Sequence, residues 1–578
     1  MDNLGIARVF TDIGDLLEIK GANPFKIRAY RNAADVIGHM AERVADLTDA
    51  DVRELPGIGK DLAAKIRELV DTGGLGYADE LRQEFPASIL EMLRLQGVGP
   101  KTVAVLYGEL GIETLEELET AAAAGRLRTL KGMGVKKEQL LLRSLAEHRR
   151  RVGRHLIGHA DAVARRVVDY LLDEAPNTTI LPVGSLRRGC ETCGDIDLLA
   201  VGADDTLMSR FTDFPDVERV LGHGATKSSV LLRGDVQVDL RLVPPESAGA
   251  AAQYFTGSKA HNIAVRDLAL QRGLKLNEYG LFRVSSDERI AGASEAEIYE
   301  ALGLVLVPPE LREHRGELKA AASGDLPRLL ERADIRGDLH CHTTATDGKA
   351  DVDTMARAAR DAGLEYLAIT DHSQALAMAN GLDEHRALAH AAHIRQVSEQ
   401  LDGITLLAGI EVDIHADGTL DLADECLAEL DLVIASVHSA FGQDEAQMTA
   451  RILRAIENPM VDVIGHPTGR LLLRRDPYQV NIEQVLAAAA RNGVAMEINS
   501  QVHRLDLSDA HARLARERGV KLVITTDAHA PAGFDLLRWG VTVARRAWAE
   551  PSDVLNTQPL EPFLASLRRT RRRRRTGP

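Results

Sequence analysis

Residues 183–199 run Val183-Gly184-Ser185-Leu186-Arg187-Arg188-Gly189-Cys190-Glu191-Thr192-Cys193-Gly194-Asp195-Ile196-Asp197-Leu198-Leu199. The apolar stretch from Ile180 predicts a strand that ends at Val183, where Gly184-Ser185 turns the chain. A second strand follows, and its period of two places Asp195 and Asp197 on one face. A third acid, Asp239, lies inside Val236-Gln237-Val238-Asp239-Leu240-Arg241-Leu242. Its apolar neighbours make a lone carboxylate costly unless something binds it. Three acids on neighbouring strands can hold two divalent ions. Ions about 3.5–4 Å apart can activate an attacking hydroxyl and stabilise the leaving oxygen of an in-line phosphoryl displacement. Asp195 and Asp197 are expected to bridge both ions, and Asp239 to hold the one that activates the nucleophile. Hard carboxylate donors favour Mg2+ or Mn2+.

Around this stretch, short apolar runs at Ile196 to Val201, Val217 to Leu221, Ser229 to Leu232 and Val236 to Val243 predict a mixed sheet. Upstream, Leu55-Pro-Gly-Ile-Gly-Lys60, Leu95-Gln-Gly-Val-Gly-Pro-Lys101 and Leu130-Lys-Gly-Met-Gly-Val-Lys136 are three related segments, each closing one helical pattern and opening another. Residues 1–150 are therefore expected to be all-helical. Downstream of Ile335, strand-like runs at Tyr366 to Ile369, Thr405 to Leu407, Leu432 to Ala435, Val461 to Ile464, Val494 to Ile498 and Lys521 to Ile524 alternate with Ala-rich helical stretches. That rhythm predicts a parallel barrel or sheet with its chemistry at the C-terminal strand ends.

The strand ends are where the histidines fall. Asp338-Leu-His340-Cys-His342, Asp347-Gly, Thr370-Asp371-His372, Gly409-Ile-Glu411, Ser436-Val-His438, Ile464-Gly-His466 and Thr526-Asp527-Ala-His529 recur along this half. One such histidine is ordinarily a hydrogen-bonded structural residue. Six at successive strand ends, joined by acids, point to metal ligation, and mixed imidazole and carboxylate donors suit Mn2+ or Zn2+. Cys341, between two of them, is expected to face the opposite side as core.

The chain has 578 residues, four cysteines and a net charge of −16. At roughly 100–200 residues per domain this length implies about three to five domains. The acidity argues against whole-molecule attraction to nucleic acid but leaves room for a local basic groove. The cysteines are too few for a disulfide scaffold, and Cys190-x-x-Cys193, without a second pair, is assigned no metal. There is no secretory n-region at the start and no apolar run of membrane length, so a cytoplasmic enzyme without membrane contact is expected. Residues 568–578 hold seven arginines, a solvated tail or a nucleic-acid contact.

Residues 1–315 resemble a family X DNA polymerase, most specifically in Gly184-Ser185 to Asp197 and in Tyr254-Phe255-Thr256-Gly257-Ser258. The resemblance implies a nucleotidyltransferase palm in which Gly184, Ser185, Arg188 and Gly194 contact the triphosphate. Tyr254, Phe255, Gly257 and Ser258 would lie along the sugar and favour a deoxynucleotide, and Asn262 would touch the base edge or minor groove. Gln237 departs from the pattern where eukaryotic members carry a basic residue, as does Lys259 where they carry an acid. The three hairpins then become DNA-phosphate contacts through Gly57, Gly59 and Lys60, Gly97, Gly99 and Lys101, and Gly132 and Gly134. Lys65 matches the Schiff-base lysine with which eukaryotic relatives excise a deoxyribose phosphate, with Lys26 and Tyr30 as companions; a DNA-facing helix lysine is the other reading.

The C-terminal half resembles the PHP (polymerase and histidinol phosphatase) domain, a distorted barrel of about seven βα units with two to three metal ions. By that resemblance His340, His342, Glu411 and Asp527 bind one ion, Glu411, His438 and His466 a second, and Asp347, His372 and His529 a third. Arg504 is placed either at the scissile phosphate or on the surface. The whole is a multidomain α/β chain: helical DNA-binding regions 1–90 and 91–150, palm 151–245, thumb 246–318, linker 319–334, PHP nuclease 335–570 and basic tail 571–578. It is expected to act as a monomer on gapped or nicked DNA with deoxynucleoside triphosphates, filling short gaps and trimming 3′ ends. The competing reading is a small-molecule or RNA nucleotidyltransferase fused to a PHP phosphoesterase. In a third, the barrel is a structural metal module that only positions the polymerase.

Overall fold

The computed structural model describes residues 3–567 except 39–43, 56, 87, 94, 96–97, 131–132, 136, 140, 143–144, 146–152, 174 and 203–205. Gly97, Gly132, Lys136 and the arginine-rich tail from residue 568 lie outside the described residues. The chain divides into two compact units, Met1–Val152 and Gly153–Pro578.

The first unit is helical. Asn3–Ile19 and Pro24–Gly38 pack against each other and share one apolar core with Lys60–Thr72, Gly76–Gln83 and Pro100–Leu110. Ile6, Phe10 and Ile13 of the first helix are wholly buried, as are Ile66 and Leu69 of Lys60–Thr72 and Leu106 of Pro100–Leu110. The regions 1–90 and 91–150 thus pack around a single core. The hairpin turn before Lys60 needs a left-handed residue, and Gly57 supplies it at φ +75°. Pro100 occupies the first turn of its helix, where a missing N–H costs nothing.

The second unit holds two sheets that matter for chemistry. In the palm, Thr179–Pro182, Asp195–Val201, Val236–Val243, Lys227–Leu232 and Val217–Gly222 lie side by side in that order. Asp195–Val201 and Val236–Val243 run parallel, with Asp197 directly beside Asp239, and the other pairings are antiparallel. The helices Ala248–Thr256, Lys259–Gln271 and Glu295–Ala301 follow, with a small antiparallel sheet between the last two.

The other sheet has seven parallel strands in sequential order: Gly337–Asp338, Tyr366–Ile369, Thr405–Asp413, Leu432–Ser436, Val463–Ile464, Ala495–Asn499 and Leu522–Thr525. The sheet curls into a nearly closed barrel, and alternation along the strands gives it an inner and an outer face. Leu339, Ala368, Leu407, Ile434, Val463, Ala495 and Val523 fill the inside with Phe563 from Leu560–Ser566, while Leu367, Leu406, Val433, Ile464, Met496 and Leu522 belong to the larger outer core. Cys341 belongs to that outer core.

The seam between first and last strands is stapled. At one end His342 N–H donates to the Ala528 carbonyl at 2.9 Å. Further down, the Asn556 amide donates to the carbonyls of both Gly337 (2.8 Å) and Ile524 (2.6 Å), and its oxygen accepts from Ile524 N–H at 3.1 Å. One side chain thus satisfies backbone groups that the open edges would leave unpaired.

Residues 319–334, expected as a linker, are packed instead. Glu317–Ser323 is a helix, Leu329 and Leu330 are buried, and Leu330 N–H bonds the Ala549 carbonyl at 3.1 Å. Apolar residues in that stretch find a core, so its Pro, Gly and charge content does not make it a free tether.

Candidate active sites

In the palm, parallel pairing brings Asp195, Asp197 and Asp239 onto one sheet face, as period-two spacing requires. Gly184, at φ +64°, starts the short helix Gly184–Arg187 against the second of them: a Cβ there would stand 2.5 Å from Asp197 Oδ2. Only glycine allows both the left-handed backbone and that approach. Burial, and then the charges of Asp195 and Asp239, push the Asp197 carboxyl up to about 6. Asp239 is also buried, but hydrogen bonds from Gln237, Lys227 and Ser229 outweigh burial and hold it below the ordinary range. Gln237 Nε2 lies 3.0 Å from Asp239 Oδ1 and Lys227 Nζ 3.0 Å from Oδ2. Lys227, on the adjacent strand, is a residue that linear reading missed. Three crowded carboxylates, one of them reluctant to ionise, form a donor set suited to a hard divalent ion.

This crowding has a measurable cost. An acid whose folded pKa is raised contributes stability that is complete below its ordinary value and is lost as pH rises through the folded value. For Asp197 the loss runs from about pH 4 to about 6 and amounts to about 2–3 kcal/mol on the order-of-magnitude scale of 1.4 kcal/mol per unit. Metal-free Asp197→Asn is therefore expected to melt about 3 °C or more above the wild type at pH 7.5. Calorimetry in EDTA should show that gap closing as pH falls to 4, and a gap independent of pH would contradict the crowding.

The turn expected to hold the triphosphate is built from engaged arginines. Arg188 pairs with Glu313 at 3.0 Å and donates to the Thr256 carbonyl at 2.5 Å, and Arg187 binds Glu295 and the Thr256 hydroxyl. Gly257 has φ +71°, Ser258 caps Lys259–Gln271, and Asn262 Nδ2 donates to the Tyr254 carbonyl at 2.6 Å. The Arg241 guanidinium lies over the Phe255 ring, 4.2 Å from its centroid.

In the helical unit, Gly59 and Gly99 are the N-caps of Lys60–Thr72 and Pro100–Leu110, and neither helix start has a capping side chain. First-turn amides there have no side chain competing for them, and Lys60 and Lys101 are exposed beside them. Gly134 precedes a further helical turn, with Glu138 N–H on its carbonyl at 3.1 Å. Lys65 pairs with Asp61, and Lys26 donates to the Tyr77 hydroxyl at 2.8 Å. The Tyr77 ring stacks on Tyr30 and has both ammonium groups near its face. Tyr77 lies far from any hairpin motif, which is why it was not anticipated.

The barrel gathers all nine expected ligands at its C-terminal rim. Three groups of donor atoms fall within 4.8 Å of one another among the described residues: His342, Asp347, His372 and His529; His340, His342 and Asp527; and His372, Glu411 and His438. His342 and His372 each join two of these groups, and the members of each expected set also lie close together, with His340 and His342 within 3.8 Å of both Glu411 and Asp527. His466 touches Glu411 at 3.0 Å, and Glu411 is the hub, also 2.8 Å from His372 and 3.4 Å from His438.

His340 Nε2 is buried without a hydrogen-bond partner, 3.5 Å from Glu411 and 3.8 Å from Asp527. An unsatisfied ring nitrogen facing two carboxylates fits a bound cation. Burial, and then the neighbouring His372 and His529, depress His342 to about 4, which keeps its ring neutral as a ligand must be. Burial disfavours charge on His372 too, but Glu411 and Asp347 win and raise it to about 10.

Behind these ligands stand residues that sequence reasoning passed over. Glu497, wholly buried, sits 2.6 Å from His340 Nδ1 and accepts from the Thr525 hydroxyl at 2.6 Å and from His466 N–H. Asn499 donates to Asp527 at 3.0 Å. An acid in the buried strand Ala495–Asn499 carries the same signal that singled out Asp239. Partners of this kind fix ring orientation and ligand basicity. Glu497→Gln is expected to weaken metal binding about 10–100-fold, measured by titrating the apo-protein with Mn2+; an unchanged affinity would mean that His340 needs no support.

Comparison with known proteins agrees with both halves. Family models match the chain as a helix-hairpin-helix domain (residues 1–75), a SAM-like helix-hairpin-helix tandem (89–147), a DNA polymerase beta thumb (251–313) and a PHP domain (338–501). A Bacillus subtilis (strain 168) protein, DNA polymerase/3'-5' exonuclease PolX, is 38% identical over 572 residues, covering 98% of this chain and 100% of that relative. The barrel alone is 33% identical over 233 residues to a probable phosphatase of Thermoanaerobacter sp. (strain X514), covering 38% of this chain and 89% of the relative. A probable phosphatase of Shewanella sp. (strain MR-4) is 32% identical over 211 residues, 34% of this chain and 79% of the relative. No helix among the described residues is long and apolar enough to cross a membrane. With near-complete coverage of a two-activity relative, and with polymerase thumb and PHP domain in one chain, this protein belongs to the PolX family of DNA polymerase/3'-5' exonucleases.

Proposed function

We propose that the chain fills short gaps in DNA by adding deoxynucleotides to a 3′ hydroxyl in the palm, and trims 3′ nucleotides or blocked 3′ ends in the barrel. The observation that carries the first half is the side-by-side pairing of Asp197 and Asp239 on parallel strands with the glycine turn against Asp197. Asp195, Asp197 and Asp239 hold Mg2+ or Mn2+, which supplies the Lewis acidity for nucleotidyl transfer. Lys227 and Gln237 set the charge and angle of Asp239. Arg188 meets the triphosphate by exchanging or sharing its Glu313 partner, while Tyr254 and Phe255 lie along the sugar. Gly59 and Gly99 present helix N-termini to DNA phosphates, which positions the duplex without reading its sequence.

In the barrel the nine ligands hold two to three Mn2+ or Zn2+ ions, which supply acidity to water near neutral pH. Glu497 and Asn499 orient the ligand set, and Arg504 neutralises the phosphate under attack. The chain acts as a cytoplasmic monomer. The test is template-directed: on a one-nucleotide gap with a 5′-labelled primer, the complementary dNTP should extend the primer by one in preference to the matching ribonucleotide. Without dNTP the primer should shorten. A protein that does neither, while adenylylating or dephosphorylating small molecules, would move the reading to a small-molecule nucleotidyltransferase.

A further inference from the structure

The turn that carries the palm's phosphate-holding residues also plugs into the barrel. A Cβ on Gly189 would meet Thr542 Cγ2 in the barrel helix Leu537–Arg546 at 2.2 Å, and Arg546 donates to the Arg188 carbonyl at 2.7 Å. Two residues on, the Glu191 carboxylate accepts a fork of hydrogen bonds from Arg470, at 2.5 Å and 3.1 Å. Arg470 is largely buried, four residues past the ligand His466, and the same guanidinium donates to the Leu505 carbonyl.

Leu505 is a non-glycine residue at φ +43°, a conformation that persists only when its surroundings enforce it. Its neighbour Arg504 lies 3.8 Å from the ligand Asp527. Palm helix Ile157–Leu172 presses on the same loop, since a Cβ on Gly158 would stand 2.9 Å from Val502 Cγ1. A buried ion pair is a poor adhesive, because desolvation offsets most of its attraction. A bidentate fork fixes direction, however, and direction is what a guanidinium aimed at a phosphate requires.

We propose that Glu191, a palm residue, is a positioning residue for the barrel's hydrolytic site: through Arg470 it fixes the Leu505 carbonyl and thereby the Arg504 guanidinium beside Asp527. This rests on the reading of the barrel as a 3′-end hydrolase.

The test is a double-mutant cycle on the full chain, with single-turnover degradation of a 5′-labelled primer in Mn2+. Glu191→Gln should lower the rate about 10-fold or more, and Arg504→Ala at least as much. In the Arg504→Ala background, Glu191→Gln should change the rate less than about 2-fold, because both act through one group. In the metal-free protein, hydrogen exchange of amides in residues 500–507 should quicken in Glu191→Gln and not in Arg504→Ala. Arg470→Ala should lower the rate at least as much as Glu191→Gln, and adding Glu191→Gln to it should change the rate less than about 2-fold. This second cycle also decides the matter should Glu191→Gln melt early, since losses that multiply then overturn the proposal. Unaltered degradation by Glu191→Gln, or a loss that multiplies with that of Arg504→Ala, overturns it while leaving the nuclease reading intact. A wild type without nuclease activity removes the reading of the barrel and the proposal together.

Discussion

Asp197→Asn is expected to lower the rate of nucleotide addition on gapped DNA by about 1,000-fold or more, with degradation of the same primer within about 2-fold of wild type. The carboxylate lies beside Asp195 and Asp239 and against Gly184, so on the proposed two-ion reading its loss would remove a shared ligand and part of the charge that the ions require. Removing one preorganised electrostatic group from a site of this kind costs about 4 kcal/mol of transition-state stabilisation, which corresponds to that factor. The same substitution should raise the melting temperature of the metal-free protein. Gain of stability together with loss of function identifies a residue kept for catalysis. A variant that still extends primers at a tenth of the wild-type rate would show that Asp197 is not a metal ligand.

Glu411→Gln is expected to reduce primer degradation by at least about 1,000-fold, to lower the Mn2+ content of the purified protein, and to leave gap filling within about 2-fold. Glu411 lies within 4 Å of five histidines, His340, His342, His372, His438 and His466. Its charge raises His372 in the metal-free protein, and with His372 and His438 it forms one of the donor groups that could hold an ion. Metal analysis and single-turnover degradation check the prediction. Full degradation with fewer ions bound would assign Glu411 to a structural ion only.

How much of this was legible in the sequence differs between the two halves. The palm acids stood out because a strand's period of two and an acid among apolar neighbours are both local signals. Lys227 was invisible because only the register between Lys227–Leu232 and Val236–Val243 brings it to Asp239. Six of the seven barrel strands were recognisable, whereas Gly337–Asp338, at two residues, is too short to show periodicity. The nine ligands were legible by type and by their place after strands. Their grouping rested on the family resemblance, because a ring such as His342 faces two neighbours at once and spacing alone does not choose between them. Glu497 carried the right signal and was passed over for want of a histidine beside it. Asn556 and Glu191 gave none, since their roles exist only where distant segments meet.

On the proposed function, one chain carries two chemically separate sites acting on the same 3′ end. A single experiment addresses it: a 5′-labelled primer in a one-nucleotide gap, in Mn2+, with and without dNTP. Wild type is compared with Asp195→Ala/Asp197→Ala and His340→Ala/His342→Ala. The palm pair should lose extension alone and the barrel pair degradation alone. If either pair abolishes both reactions in a protein that still melts cooperatively, or if neither pair abolishes its own, the two-site account is contradicted.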